Sequence, residues 1–133
     1  MIQKQRIVIL SAELSENSDK RNTMSSENLE LCLQECNFRY KNATGIYKGR
    51  KENSFVVIAQ SNEDIEVLKD FAFKNFNQES ILETDIKGNA YLTYQNGKCE
   101  LLGRLEQINR DIASSFDSYT ILDGKYYATI KKG

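Results

Sequence analysis

The order of apolar periods along the chain predicts an α+β fold. Its core is a split β-α-β unit (β-α-β-β-α-β), continued by antiparallel C-terminal strands, with two helices on one face of the sheet. Three observations carry that expectation. Two segments repeat apolar residues at helical spacing: Leu29, Cys32, Leu33 and Cys36, then Ile65, Leu68, Ala72 and Phe76. Short β-branched runs, "RIVILSA" at 6–12 and "NSFVVIAQ" at 53–60, read as buried strands. The last third is cut into short β-rich pieces by "KG", "NG" and "DG". No repeat or linker interrupts the chain, so residues 1–133 form a single globular domain. That length buries about 65–70% of the surface an unfolded chain exposes.

Taken in order, residues 6–12 form the first strand and 13–22, "ELSENSDKRN", a polar loop. Thr23 or Ser25 caps the first helix by accepting from a free N–H, and Asn37 stops it. "FRYKNATGIYKG" (38–49) is extended but broken near "NATG", and "KGRKE" turns into the strand at 53–60. Ser61 and Asp64 resemble a capping box ahead of the second helix. "ESILETDI" (79–86) is the next strand, and Asn96-Gly97 is the strongest hairpin signal, suited to a type I′ turn. Residues 107–116 make a short helix or an irregular crossover between the last strands.

Composition excludes several classes of function. Lys and Arg number 18 against 19 Asp and Glu, a formal charge of −1, so no overall field draws in nucleic acid. No run reaches the ~18–20 apolar residues of a membrane helix. The opening "MIQKQRIVILSAELS" has only "IVIL" as an apolar core, too short for a leader peptide, and the expected location is the cytoplasm. Cys32, Cys36 and Cys99 are an odd set, expected as reduced, buried thiols. With no histidine in the chain, neither a metal site nor a Ser-His or Cys-His nucleophile is expected. There is no glycine-rich phosphate loop and no cofactor is indicated.

Polar residues at strand ends are the functional lead. Ser11 and Glu13, Glu52 and Ser54, and Gln78 and Ser80 each share a spacing of two, so each pair faces one side of its strand. If the strands are neighbours, carboxylates, hydroxyls and an amide gather to bind a polar ligand. The competing reading is that they cap helices and satisfy loops. Glu13 and Glu52 are the only pair to nominate as acid and base, and an enzyme is not the favoured expectation. "FRYKNATGIYKGRK" interleaves Arg39, Tyr40, Lys41, Tyr47, Lys48, Arg50 and Lys51, as a stacking site for single-stranded nucleic acid would. Arg39 and Lys41 fall on the face opposite Tyr40, which favours a solvated strand instead.

The ordered set "ILSAE", a loop ending in "RN", "GIYKGRKENSFVV", "FNQESIL", "AYL" and "LLG" resembles a family of small tailed-bacteriophage proteins. That family is itself similar to a bacterial domain of unknown function. The resemblance spans about residues 6–130 and coincides with Ser11, Asn22, Tyr47, Glu52, Ser54, Gln78 and Ser80. It implies a host-cell cytoplasmic protein made during infection, with no catalytic residues to carry over. Two functions follow. The first is non-catalytic binding to a host protein, as an inhibitor or anti-defence factor. The second is sequestration of a small polar, nucleotide-like ligand in a Glu/Ser/Gln-lined pocket. A homodimer built by pairing of exposed C-terminal strand edges is a third expectation.

Overall fold

The computed structural model describes residues 5–131; residues 1–4 of the opening segment and Lys132 of the last predicted strand lie outside the described residues. Its strands are β1 (Arg6–Leu10), β2 (Arg39–Tyr47), β3 (Arg50–Ala59), β4 (Ser80–Thr84), β5 (Asn89–Tyr94), β6 (Cys99–Ile108), β7 (Ser118–Leu122) and β8 (Lys125–Ile130). The helices are α1 (Asp19–Glu35), α2 (Asn62–Asp70) and the single turn α3 (Arg110–Ala113). All strand pairs are antiparallel, and they close into a barrel in the order β1-β3-β2-β7-β8-β6-β5-β4. The expected α+β sheet with a split β-α-β core is therefore corrected to a closed eight-stranded barrel. Closure also takes up the strand edges on which a strand-paired homodimer was expected.

Alternation along the strands divides the apolar residues into two cores. Ile7, Val56, Ala90, Leu105 and Leu122 fill the barrel interior with Ile9, Ala43, Leu82 and Tyr127. Val8, Leu10, Phe55, Val57, Ala59 and Ile81 point outward, where Leu29 and Leu33 of α1 and Ile65 and Leu68 of α2 cover them. This explains the unbroken runs "IVIL" and "FVVIA": that part of the wall is buried on both faces. A run buried on both sides reads the same in a barrel wall as in a sheet under helices.

Local chemistry sets the element ends. Helix α1 starts earlier than its period suggested: the Ser18 hydroxyl accepts from Arg21 N–H at 3.2 Å. Asn37, at φ 59°, ends it. Ser61 accepts from Asp64 N–H at 3.1 Å, while the Asp64 carboxylate reaches back to Gln60 N–H at 2.9 Å. After Asp70 the helix widens into a π turn, Phe71–Asn75. Strand β2 runs unbroken through "NATG". The two-residue turns with positive φ at both positions are Lys48-Gly49 and Asp123-Gly124. Asn96-Gly97 is not one of them, since of those two residues only Gly97 has positive φ. No helix among the described residues is long and apolar enough to cross a membrane.

Gly103 sits at φ 129° on β6, where a Cβ would collide with the Ile130 carbonyl oxygen of β8. Both the backbone conformation and the space exclude a side chain. Gly103→Ala is expected to destabilise the barrel by about 3 kcal/mol or more, read from the urea midpoint. A midpoint equal to the parent's would show that the β6–β8 seam is looser than this geometry.

Candidate functional site

The antiparallel ring brings the C-terminal ends of β1, β2 and β5 to one rim with the N-terminal ends of β3, β4 and β7. A crevice opens there. Its inner corner, about 140 Å³, is lined by Ser11, Gly45, Tyr47, Glu52, Ser54, Gln78 and Ser80, among others. It continues, through shared walls at Tyr47, Glu52, Gln78, Leu82 and Leu92, into a wider part of about 640 Å³. Leu102, Leu105, Phe116, Tyr119 and Tyr127 give that part an apolar, aromatic lining.

Pairing of β2 with β3 builds the inner corner, with Gly45 opposite Glu52 and Ala43 opposite Ser54. A Cβ on Gly45 would stand 2.8 Å from Ser54 Oγ and 3.5 Å from Glu52 Cγ. The absent side chain is what keeps this corner open. The Glu52 carboxylate is 27% exposed and accepts from Arg50 Nη1 at 3.2 Å. Burial pushes its carboxyl above the ordinary range; the Arg50 charge opposes this and the Glu13 charge adds to it. Ser11 Oγ accepts from Glu13 N–H at 3.0 Å, so its own proton remains to donate. Glu79 and Asp117 add two carboxylates to the wider part, where Arg50 is the one guanidinium among the described lining residues.

Six of the eight residues singled out in the sequence therefore meet in the crevice, and two do not. Glu13 spends its carboxylate on Asn53 N–H (3.0 Å) and Ser26 Oγ (3.3 Å). The nominated Glu13–Glu52 acid–base pair is thus not assembled: Glu13 holds a loop and reaches Glu52 only by its charge. Asn22 latches the same loop, donating to Leu14 O and accepting from Leu14 N–H, both at 2.9 Å. Asn22→Ala is expected to lower stability by about 1–3 kcal/mol, because it strands a partly buried N–H. Urea denaturation measures this, and a parent-like midpoint would mean the latch is not what holds the loop.

The basic and aromatic stretch is divided by the wall. Tyr40 points outward, its ring edge-on to Phe55 at 5.8 Å and its hydroxyl donating to Glu30 at 2.8 Å. Lys41 pairs with Asp123 in the open, whereas Tyr47 and Arg50 reach the crevice. The cysteines are free but not buried as expected; Cys36 and Cys99 are exposed and Cys32 is half-buried. Residues that sequence reasoning missed, Gly45, Leu92, Phe116, Asp117, Tyr119 and Thr120, come mostly from β5, β7 and the segment before β7. No local pattern marks them, since only barrel closure brings them to this rim.

A small closed antiparallel barrel whose one mouth is a crevice with convergent polar groups is the class that fold and site define. The S-adenosylmethionine lyase family model matches residues 8–130, and the chain belongs to that family. No curated protein matches the sequence. The family match corrects three earlier expectations: the resemblance to a family akin to a bacterial domain of unknown function, non-catalytic binding to a host protein, and sequestration of a nucleotide-like ligand.

Proposed function

We propose that this protein cleaves S-adenosylmethionine without water, using the crevice at the barrel mouth as its active site. The observation that carries the reading is the charge of the crevice in a chain of the lyase family. Glu52, Glu79 and Asp117 line it against one guanidinium, Arg50, already bonded to Glu52. S-adenosylmethionine carries a sulfonium, an ammonium and one carboxylate, a net positive charge that such a lining attracts. The wider part, with its Phe and Tyr side chains, suits the adenosine, and the inner corner suits the amino-acid end.

The chemistry follows from what the substrate already contains. Its α-carboxylate oxygen attacks Cγ, the Cγ–S bond breaks, and sulfur leaves with the bonding pair as neutral methylthioadenosine. The five-membered homoserine lactone is the other product, and no proton, water or protein nucleophile is consumed. The alternative elimination needs a base to remove an unactivated Cβ proton, which a carboxylate such as Glu52 is too weak to do. In the displacement two opposite charges cancel, so water, which solvates both, holds the reaction back. Leu82, Leu92, Leu102 and Leu105 line the crevice wall, and a bound substrate packed against them would leave little room for water. Folding the substrate so that carboxylate and Cγ meet is the protein's main task.

The test is mass spectrometry of products from S-adenosylmethionine in ¹⁸O water. Methylthioadenosine with homoserine lactone supports the reading. Methylthioadenosine with 2-amino-3-butenoate would assign elimination instead, and homoserine carrying ¹⁸O at its γ-hydroxyl would make the protein a hydrolase.

A further inference from the structure

We infer that Gln78 determines specificity for the substrate's α-ammonium group, through a carbonyl oxygen locked to face the inner corner of the crevice. This rests on the lyase reading and adds a residue role to it. Gln78 is 9% exposed and lines the corner. Its Nε2 donates to Glu13 O at 3.0 Å and, more weakly, to Phe76 O at 3.4 Å. Both partners are backbone carbonyls, which only accept, so the amide cannot be turned over: the flipped form would set oxygen against oxygen. The backbone on either side is held as well. Gln78 N–H donates to Ala72 O at 2.9 Å, and Asn77 before it takes φ 52°.

Among the described residues no donor reaches Gln78 Oε1, while no buried side-chain nitrogen or oxygen lacks a partner. The oxygen is therefore open to the crevice and offers acceptance alone. Glu52, the nearby charged group of the corner, is likewise acceptor-only, and Ser11, Ser54 and Ser80 complete the lining with hydroxyls. Two acceptor-only groups, Gln78 Oε1 and the Glu52 carboxylate, beside hydroxyls that can also accept fit a group with several N–H donors and a positive charge. In S-adenosylmethionine that group is the α-ammonium. Holding the ammonium fixes the Cα end of the substrate, so that the adjacent carboxylate can turn on Cγ.

The experiment compares kcat/KM for S-adenosylmethionine with that for the analogue whose methionine part is 4-(methylthio)butanoate, which lacks only the amino group. The parent is expected to prefer S-adenosylmethionine by about ten- to a hundredfold, the worth of a hydrogen bond to a charged group. Gln78→Met removes the acceptor and should collapse the preference. Because it also removes the brace to Glu13 and Phe76, Gln78→Lys is measured beside it. Lysine can still donate to the two carbonyls but presents no acceptor and adds a positive charge, so it should reverse the preference toward the analogue without the amino group. A folded Gln78→Lys protein with the parent's ratio, or a parent indifferent to the amino group, overturns the assignment while leaving the lyase reading intact. No cleavage of S-adenosylmethionine by the parent removes both.

Discussion

Glu52→Gln is expected to lower kcat/KM for S-adenosylmethionine about a hundredfold or more, within the ~2–5 kcal/mol lost when one partner of a buried charge pair is removed. Most of the loss should fall on KM. The reaction discharges the sulfonium and the carboxylate together, so a fixed negative group binds the ground state at least as well as the transition state. The same substitution is expected to leave the melting temperature unchanged or to raise it. Glu52 has its carboxyl raised by burial, with the Glu13 charge adding and the Arg50 charge opposing. A carboxyl raised above its unfolded value binds its proton more tightly in the folded state. Its charged form therefore disfavours folding at neutral pH, and that penalty is relieved as pH falls through the raised value.

Glutamine lacks the charge at every pH. The parent's KM should therefore rise as pH drops toward and below the raised carboxyl range, while the KM of Glu52→Gln stays flat over the same interval. Steady-state kinetics across pH, with a thermal melt of each protein, reads both effects. A variant with parent-like KM and a lowered melting temperature would make Glu52 a structural partner of Arg50 and no more.

Gly45→Val should be the second large loss, about a hundredfold or more in kcat/KM, comparable to the effect of misplacing a bound substrate by an ångström. The inner corner holds about 140 Å³, and even a Cβ at this position meets Ser54 Oγ at 2.8 Å. Valine is favoured in strands and Gly45 has no positive φ to protect, so the barrel should keep its far-UV circular dichroism, with a melting temperature lowered modestly by the shift of buried Ser54. Gly45→Ala should fall between the two. Adding Ser54→Ala to it should recover part of the activity, because the Ser54 hydroxyl is the nearest atom the new methyl meets. If Gly45→Val turns over substrate like the parent, the corner is not where the reacting end binds.

The pair at 52–54 was legible because strand alternation alone puts both residues on one face of β3. Gln78 lies in the segment before β4, which starts at Ser80, so its place beside Ser80 is set by the turn at Asn77 and not by alternation. The meeting of the two pairs was not legible, since it depends on β1 lying between β3 and β4. Spacing could not separate Ser11, which lines the crevice, from Glu13, whose carboxylate turns to Asn53 N–H and Ser26. Capping chemistry at Ser61 and Asp64 was readable as a local hydrogen bond, whereas the start of α1 was not. There the Asn22–Leu14 latch and the Ser18 cap outweigh the apolar period.

By itself the sequence determined which segments are strands and which are helices, though not where α1 begins or that β2 is unbroken, that β1 and the second half of β3 are buried runs, and that no histidine chemistry operates. Those properties depend on residue type and on neighbours within a few positions. Tertiary structure alone decided that eight strands close, and that Leu92, Phe116 and Tyr119 join Glu52 and Gln78 at one mouth. Closure rests on pairings such as Thr44 with Ile121 and Ile9 with Leu82. Residues that far apart leave no periodic trace along the chain, because the hydrogen bonds joining them are made by backbone groups that every residue carries.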